Sequence, residues 1–313
     1  MRNFLFFGSS EFSKMILEGL IKANFKPSLV VAPERKPQGR KKFLIPSPVE
    51  DLALKENIPV LTPSNLNEKS FLTKIKNLKA DFALLSAYGK IIPLKLLKMF
   101  PKGFLNLHPS LLPRLRGATP IQTAILNDDK ESGVTLFLMD EKIDHGPIIQ
   151  NIKYKIQDTK ITYTKLSQIL AQLGTELIIK TIPLWLEDKI IPQPQNDALA
   201  TYCHKITKED EKINWEKNSI EIDRQIRAFN PQPGTYTTLD NKIIKIIKGE
   251  NFNDNNISEN KKIGEIFEFN GKLAIKCGKG FYVVEIIKPE GKKEMDASDF
   301  LKGNKYLVGK IFI

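Results

Sequence analysis

The stretch Phe104–Pro113, FLNLHPSLLP, constrains the fold more than any other part of the sequence. Leucines alternate here with Asn106 and His108, which is the two-residue period of a strand with one apolar and one polar face. Because Asn106 and His108 stand two positions apart, their side chains project from the same face. Pro109 has no backbone N–H, so the strand cannot continue as a ladder member. An amide and an imidazole are therefore predicted at the carboxyl end of a strand, where open α/β sheets bind ligands.

The chain has three histidines, His108, His145 and His204, so a histidine at this strand end is not an effect of composition. A histidine near a strand end is nevertheless more often a hydrogen-bonded structural residue than a catalytic one. The residues of this stretch by themselves leave both interpretations open.

The N-terminal half alternates between strand-like and helix-like segments. Asn3–Phe7 is an apolar run that ends in a Gly-Ser-Ser turn, and Phe12–Ala23 is amphipathic, so a βαβ unit is predicted. The single glycine is not the G-x-G-x-x-G fingerprint, which excludes a dinucleotide site, although a small anion could rest on the helix N-terminus. Further strands are predicted at Leu29–Ala32, Val60–Thr62, Asp81–Ser86 and Gly133–Met139, and further helices at Val49–Glu56, Glu68–Leu78, Pro120–Leu126 and Tyr163–Lys180.

The sequence pattern changes in the last third of the chain, from alternating strands and helices to a series of short strands. Ile190–Asp197 is polar and proline-rich, which is typical of a linker. A helix is predicted beyond it at Ser219–Phe229, and short strands at Thr235–Leu239, Lys242–Ile247, Gly264–Phe269, Lys272–Lys276 and Phe281–Ile287. Five short strands favour a small OB-type barrel, a fold that binds nucleic acids but also serves as a structural module. No series of aromatic residues for stacking bases is evident, which argues against single-strand binding as the main role.

Composition limits the class of protein. A chain of 313 residues is natural for two domains. No apolar run approaches ~18 residues, so no membrane span is expected. The first residues lack the long apolar stretch of a secretory signal, so a cytoplasmic protein is expected. Cys203 and Cys277 lie far apart without C-x-x-C spacing, which implies neither a disulfide framework nor a zinc site.

The net charge of +12 is compatible with a polyanionic partner, but a lysine-rich composition can equally reflect genome bias. Residues 33–49 hold four prolines and five basic residues, and this stretch is predicted to be a mobile loop without helix or strand. Either the loop is a solvated connection, or Arg40, Lys41 and Lys42 at its tip bind phosphate.

Three further loops carry candidate residues with open interpretations. Gly89 follows a predicted strand, where it either allows backbone to approach a flat ligand or simply makes a turn. Asp144 in the string KIDHGPI is either a turn or cap residue, or a carboxylate of a site. Arg114 and Arg116 either bind phosphate or carboxylate, or form surface ion pairs.

The strings LNLHPSLLPRLRGATPIQTAI and SGVTLFLMDEKIDHGPII resemble the folate-dependent formyltransferases, and within them the members that act on methionyl-initiator tRNA. The resemblance extends from about Phe4 to Lys293. It implies a doubly wound, Rossmann-like α/β formyltransferase domain over residues 1–188, a linker at 189–206, and an OB-like β-barrel domain contacting tRNA at 207–313. The implied reaction transfers the formyl group of 10-formyltetrahydrofolate, a co-substrate, to the α-amino group of initiator methionyl-tRNA for translation initiation. No metal is implied, and the expected assembly is a monomer.

The resemblance assigns a catalytic trio, Asn106, His108 and Asp144. Attack of an amine on the formyl carbon needs hydrogen-bond donors for the developing oxyanion and groups that move protons. The Asn106 amide would donate to the oxyanion, and His108 would donate to it and hold a proton. Asp144 would support the imidazolium, since its loop trails a strand expected to pair beside that of His108.

The same resemblance assigns the substrate contacts. The folate would contact Ala87, Tyr88, Gly89, Lys90 and Ile91, and also Ser110, Leu111, Leu112 and Pro113, with a cis peptide bond before Pro113. Arg40, Lys41 and Lys42 would reach the acceptor stem of the tRNA. The basic loop lacks the arginine-proline-glycine motif that is usual in the family. The resemblance therefore defines the tRNA contacts of this loop less closely than it defines the trio.

Other functions compete with this one. An N-formyltransferase acting on a nucleotide-linked amino sugar would use the same trio, and the basic loop favours tRNA over the sugar. A glycinamide ribonucleotide formyltransferase needs no C-terminal barrel. A non-catalytic RNA-binding protein with this fold would have no need of an intact Asn106, His108 and Asp144.

Overall fold

The computed structural model describes residues 3–38, 43–254, 257 and 260–313. The described residues fall into two compact units. The first unit comprises residues from 1–120, 130–155 and 167–204, and the second comprises residues from 121–129, 156–166 and 205–313.

The first unit is built on a mixed sheet with helices packed against it. Its strands are β1 (Phe4–Gly8), β2 (Leu29–Val31), β3 (Lys36–Gln38), β4 (Phe43–Ile45), β5 (Val60–Leu61), β6 (Phe82–Ser86), β7 (Phe104–His108), β8 (Arg116–Gly117), β9 (Glu131–Leu138), β10 (Ile148–Lys155) and β11 (Tyr202–Cys203). Within the described residues, the main sheet has the strand order β10-β9-β7-β6-β1-β2-β5. Strands β5, β2, β1, β6 and β7 run parallel, whereas β9 and β10 are antiparallel to their neighbours. The predicted Rossmann-like α/β sheet is confirmed.

The helices of this part of the chain are α1 (Glu11–Lys22), α2 (Pro48–Lys55), α3 (Lys69–Asn77), α4 (Leu94–Leu97), α5 (Pro120–Leu126) and α6 (Tyr163–Leu186). Helices α1 and α2 each begin after a serine that caps the helix. Ser10 accepts a hydrogen bond from the Ser13 N–H at the start of α1, and Ser47 accepts one from the Glu50 N–H at the start of α2. Such caps satisfy backbone donors that have no partner inside the helix.

The core of the first unit lies around the central strands. Every residue of β1, β6 and β7 is buried. Because a parallel sheet is covered on both faces, β1 and β6 have nearly continuous apolar sequences, whereas β7 also carries the buried Asn106 and His108. Helix α6 lies very close to β7, since a Cβ atom on Gly174 would fall 2.5 Å from Cδ2 of Leu107. Helix α6 therefore packs directly against the strand that carries Asn106 and His108.

Helix α6 is, by length and composition alone, the one helix of the described chain that could cross a membrane. Its residues Leu170, Leu177 and Ile178 are buried within the first unit. Of the 18-residue window that passes this test, 39% is buried inside the protein, and core helices of proteins pass the same test of length and hydropathy.

The second unit contains an antiparallel sheet. Its strands are β12 (Thr235–Leu239), β13 (Lys242–Phe252), β14 (Ile266–Phe269), β15 (Lys272–Lys276), β16 (Phe281–Pro289) and β17 (Met295–Asp296), and its helices are α7 (Lys208–Glu211), α8 (Ser219–Phe229) and α9 (Ala297–Lys302). The strand order is β12-β13-β16-β15-β14, and β17 pairs with β16. All five strands predicted in this part of the chain are present.

The last residues of the chain lie between the two edge strands of this sheet. Thr238 in β12 exchanges two backbone hydrogen bonds with Ile313, at 2.9 and 3.0 Å. On the other side, the Ile266 N–H donates to the Lys310 carbonyl and the Phe312 N–H to the Gly264 carbonyl, both at 2.8 Å. The edges of β12 and β14 are thus both paired with residues 310–313.

One structural prediction was wrong. The stretch 33–49 was expected to contain no strand, but β3 and β4 pair as an antiparallel hairpin with Pro37 opposite Leu44. A two-stranded pairing has free edges, so it tolerates a proline that a central strand would exclude. Residues 39–42 lie outside the described part of the chain, so the roles predicted for Arg40, Lys41 and Lys42 stay predictions.

Candidate active site

The two polar side chains of β7 lie at the carboxyl end of the parallel strands. Asn106 is 7% exposed and His108 is 4% exposed. Strand β7 is paired on one edge with β6 and on the other with β9, so its backbone donors and acceptors are held by neighbours on both sides. The two side chains therefore project from a rigid support.

The loop after β7 is fixed by Thr135 of β9. The Thr135 hydroxyl donates to the Ser110 carbonyl at 2.7 Å and accepts from the Leu112 N–H at 3.2 Å. The Ser110 hydroxyl donates to the Arg114 carbonyl at 2.6 Å. The peptide bond between Leu112 and Pro113 is cis, which confirms the expectation from the family.

The imidazole of His108 is oriented by a backbone carbonyl. His108 Nε2 lies 2.8 Å from the Leu115 carbonyl oxygen. A carbonyl oxygen can only accept, so Nε2 carries the proton in this bond. Leu115 itself has a φ of 57°, an uncommon conformation for a residue with a side chain, and this aims its carbonyl at the ring. The other nitrogen, Nδ1, is then the ring atom that can gain or lose a proton.

Asp144 meets both side chains of β7. Its Oδ1 accepts from the Asn106 amide at 3.3 Å, and its Oδ2 lies 3.6 Å from His108 Nδ1. Oδ2 also accepts a hydrogen bond of 2.8 Å from the Gly117 N–H. Asp144 has a φ of 47°, which aspartate tolerates better than most residues. The structure thus brings together the three residues that the resemblance assigns to catalysis.

Residues 87–91, which follow β6, are in part exposed to solvent and in part directed into the core. Ala87 and Gly89 have φ values of 43° and 80°, and Ile91 is 89% exposed. A Cβ atom on Gly89 would meet nothing within 4 Å, so there is open space above this backbone. Tyr88 instead points into the core against Phe7, and burial raises the pKa of its hydroxyl to about 12.

The remaining residues predicted to contact folate differ in their hydrogen bonds and in their burial. The Lys90 ammonium donates to the carbonyls of Pro63 and Ser64 at 2.9 and 3.1 Å. In the loop after β7, Ser110 and Leu112 are buried, whereas Leu111 and Pro113 are half-buried.

A buried arginine adjoins the trio, and sequence reasoning did not find its role. Arg116 is 1% exposed, and its ion-pair partner Asp197 lies at the surface, so only one side of this pair is buried. It donates through Nε and Nη2 to Gln195 Oε1, at 3.0 and 2.8 Å, and through Nη2 to Asp197 Oδ1 at 2.8 Å. This hydrogen bond lowers the pKa of the Asp197 carboxyl. The only signal in the sequence was the position of Arg116 shortly after the His108 strand.

The sequence of the chain matches two family models and several known proteins. Residues 2–182 match the family model described as formyl transferase, and residues 205–305 match the model described as formyl transferase, C-terminal domain. The chain belongs to the formyl transferase family. A methionyl-tRNA formyltransferase of Dictyoglomus thermophilum is 39% identical, over 98% of this chain and 99% of that protein. One of Nitrosomonas eutropha is 37% identical, over 98% of this chain and 96% of that protein.

Solved structures share the fold of this formyl transferase. HypX from Aquifex aeolicus in complex with tetrahydrofolic acid has a TM-score of 0.68 at 15% identity, over 96% of this chain and 47% of that one. An N-formyltransferase from Helicobacter canadensis in complex with folinic acid and dTDP-3-aminofucose has a TM-score of 0.63 at 24% identity, over 94% and 100%. The methionyl-tRNA formyltransferase from Clostridium thermocellum has a TM-score of 0.55 at 16% identity, over 91% and 99%.

The surroundings of the trio limit the chemistry open to this formyl transferase. Cys203 lies nearby, where its Sγ accepts from the Thr119 N–H at 3.3 Å, and burial raises the pKa of its thiol. A thiol kept protonated is a poor nucleophile. Within the described part of the chain, no group of three or more His, Cys, Asp or Glu residues is placed to hold a metal ion. The arrangement offers hydrogen-bond donors and a proton carrier.

Proposed function

We propose that this enzyme transfers the formyl group of 10-formyltetrahydrofolate to the α-amino group of methionyl-initiator tRNA. The observation that carries the proposal is full-length similarity. The methionyl-tRNA formyltransferases of Dictyoglomus thermophilum and Nitrosomonas eutropha align over 98% of this chain and nearly all of their own length. The acceptor belongs to translation initiation, so the cytoplasm is the proposed location.

The proposed reaction is an acyl transfer in which one C–N bond forms and another breaks. The uncharged amine attacks the formyl carbon, and negative charge grows on the formyl oxygen. The amine then loses a proton, and the folate nitrogen gains one as it leaves. An α-amino group has an ordinary pKa of about 7.7–8.0, so its free base is available near neutral pH.

Asn106 is proposed to stabilise the oxyanion. Its amide nitrogen carries two N–H groups, and one of them is directed to Asp144 Oδ1. The second can donate to the formyl oxygen without any change of charge. A fixed donor of this kind lowers the barrier because it is already oriented when charge develops.

His108 is proposed to carry the proton at Nδ1. The Nε2 proton is donated to the Leu115 carbonyl in a hydrogen bond. Proton transfer is therefore confined to Nδ1, the nitrogen that faces Asp144. When Nδ1 is protonated, the Asp144 carboxylate balances the charge of the imidazolium. Asp144 can also relay the proton of the attacking amine through a water molecule.

The folate is proposed to bind along Ala87–Ile91 and Ser110–Pro113. The open space above Gly89 and the exposed side chain of Ile91 suit a flat ring system. Tyr88 would contribute its backbone only, because its side chain lies in the core. The folate supplies the formyl group, and the residues of these two segments hold and orient it.

The tRNA is proposed to bind both parts of the chain. Arg40, Lys41 and Lys42 would contact its acceptor stem, as in the family. The C-terminal sheet, whose two edges both pair with residues 310–313, is proposed to be a barrel of the OB type. The proposed domain bounds are 1–188 for catalysis, 189–206 for the linker and 207–313 for the barrel.

A direct assay tests the function. The full-length protein is incubated with 10-formyltetrahydrofolate and either methionyl-initiator tRNA or a dTDP-linked amino sugar, and formylated product is measured in each reaction. We expect formylation of the tRNA alone. Formylation of the sugar alone would replace the proposed acceptor, and formylation of neither by a folded protein would refute the proposal.

A further inference from the structure

Gln195 links the buried arginine to the backbone that carries Asp144. Its amide nitrogen Nε2 donates to the Asp144 carbonyl at 2.9 Å and to the Gly146 carbonyl at 2.8 Å. Its amide oxygen Oε1 accepts both hydrogen bonds from Arg116. The sequence alone gives this residue no role, because it lies in the stretch with the composition of a linker.

The hydrogen-bonding capacity of the Gln195 side chain is fully used. A primary amide has two N–H donors and two acceptor lone pairs, and all four are engaged here. The orientation of the amide is also determined. If it were rotated by 180°, Oε1 would face two carbonyl oxygens and Nε2 would face the guanidinium. No other uncharged side chain of this length can satisfy the same four partners.

The backbone at Asp144 needs such support. Asp144 has a left-handed φ of 47°, a conformation that costs free energy even though aspartate tolerates it better than most residues. The carbonyl of Asp144 and that of Gly146, two residues later, are both bound by one amide group. This fixes the turn from which the Asp144 carboxylate extends towards His108.

The residues Arg116–Gly117 hold Asp144 at two places. The Arg116 side chain holds Gln195, and Gln195 holds the Asp144 backbone. The next residue, Gly117, donates its N–H to Asp144 Oδ2 at 2.8 Å. This short segment is itself fixed, since β8 pairs with β11 through Arg116 opposite Tyr202. The main chain and the carboxylate of Asp144 are thus both anchored to one short strand, β8.

We propose that Gln195 is a positioning residue for the reaction, which acts by fixing the Asp144 carboxylate against His108 and Asn106, with Arg116 fixing Gln195 in turn. The role of Gln195 in catalysis rests on the proposed function of the trio. The role of Gln195 in holding Asp144 does not rest on that function, so the catalytic role and the structural role can be tested separately.

The variant Gln195→Met tests the inference, since methionine has the same length and no N–H donor. The matched control is Gln193→Met, because Gln193 is exposed in the same segment and, among the described residues, its amide donates to the nearby Ile191 carbonyl alone. The first readout needs no activity. Hydrogen exchange of the Gly117 N–H reports its bond to Asp144 Oδ2, and we expect exchange about tenfold faster in Gln195→Met than in the control.

The second readout is kinetic. We expect kcat for formyl transfer to fall roughly 10- to 100-fold in Gln195→Met, with KM for donor and acceptor within about threefold of wild type, because a misplaced catalytic group costs rate rather than binding. In an Asp144→Asn background, adding Gln195→Met should lower kcat by less than about threefold, because the group it positions is already disabled.

The outcomes separate the two proposals. Unchanged exchange at Gly117 in folded Gln195→Met refutes the positioning role. So does a loss of kcat that is equally large in the Asp144→Asn background, which would show a general structural defect. If the wild type formylates no acceptor, the proposed function fails, and the exchange of Gly117 alone decides whether Gln195 holds Asp144.

Discussion

Leu115 contributes a carbonyl rather than a side chain to the site, yet that carbonyl decides which imidazole nitrogen can change its protonation state. Its bond to Nε2 leaves Nδ1 facing the Asp144 carboxylate. A histidine at the end of a strand could orient either nitrogen towards a substrate. The single contact with Leu115 removes that choice and makes His108 and Asp144 a pair.

At this scale the first prediction is that His108→Ala loses most of the formyl transfer activity. Removal of one donor to a developing oxyanion typically costs on the order of 10²–10³ in rate, and the proton carrier is lost with it. Steady-state kinetics with methionyl-initiator tRNA measure the effect. The control is His204→Ala, at an exposed position, which should keep the wild-type rate. A His108→Ala variant with the wild-type rate would show that the assigned role is wrong.

A second prediction at this scale concerns the pH dependence of stability. The hydrogen bond from Arg116 lowers the pKa of Asp197 below its ordinary value of 3.8. The folded protein therefore binds this proton less readily than the unfolded chain does, so the stabilisation is present above pH 3.8 and is lost as the pH falls through the lowered pKa.

Thermal unfolding of wild type and Asp197→Asn from neutral pH to about pH 3 tests this. We expect a lower Tm for the variant at neutral pH and a difference that shrinks as the solution becomes acidic. A difference that is the same at both ends of this range would contradict the assignment.

At the scale of elements, the position of the trio depends on how α6 packs against β7. The absence of a side chain at Gly174 lets the helix approach Leu107, the residue that lies between Asn106 and His108 in the strand. Leu107 is 1% exposed and has little room to move. Pressure from the helix would therefore be transmitted to the strand that carries the site.

We predict that Gly174→Ala destabilises the protein. The added methyl would fall 2.5 Å from Leu107 Cδ2, and overpacking of this kind costs about 1–3 kcal/mol. Urea unfolding measures the change. The matched control is Gly303→Ala, where the nearest atom would lie 3.7 Å from the new Cβ and the helical backbone favours alanine. A change in stability equal to that of Gly303→Ala would show that α6 and β7 accommodate the methyl at no cost, because both variants gain the helix propensity of alanine.

At the scale of the whole molecule, the net charge of +12 and the proposed acceptor are consistent with each other. A tRNA is bound largely through its phosphates, so affinity depends on lysine and arginine side chains and on salt. A folate has no phosphate backbone, so its binding should depend less on lysine and arginine side chains and on salt. The charge of the protein should therefore influence the two substrates differently.

We predict that Arg40→Ala and Lys41→Ala raise KM for the tRNA and leave folate binding unchanged. Kinetics with each substrate varied in turn measure this, and the KM for tRNA should also rise with salt more steeply than that for folate. The control is Lys22→Ala, because Lys22 is exposed on α1 and already paired with Glu18. Equal loss of tRNA and folate binding would indicate a folding defect instead of a lost contact.

Much of the architecture could be predicted from the sequence, because its signals are local. The predicted helices Pro120–Leu126 and Ser219–Phe229 have the observed bounds, as do the strands Thr235–Leu239 and Lys272–Lys276. Strand β10 lies at the edge of the sheet and was missed because only Ile149 of its residues is buried, although Ile152 and Tyr154 alternate there with polar residues. The β3–β4 hairpin was missed because its prolines and charges hide the pairing.

The sequence by itself determined that Asn106 and His108 share one face at a strand end, since the two-residue period of a strand is set by neighbouring residues. Only the tertiary structure decided that Asp144 meets them, that the Leu115 carbonyl binds Nε2 and leaves Nδ1 facing Asp144, and that Gln195 binds the carbonyls of the Asp144 turn. The contacts of Asp144 with Asn106 and with Gln195 span 38 and 51 residues of chain. No local rule relates positions so far apart, because their meeting depends on the register of β7 with β9 and on the packing of the segments around it.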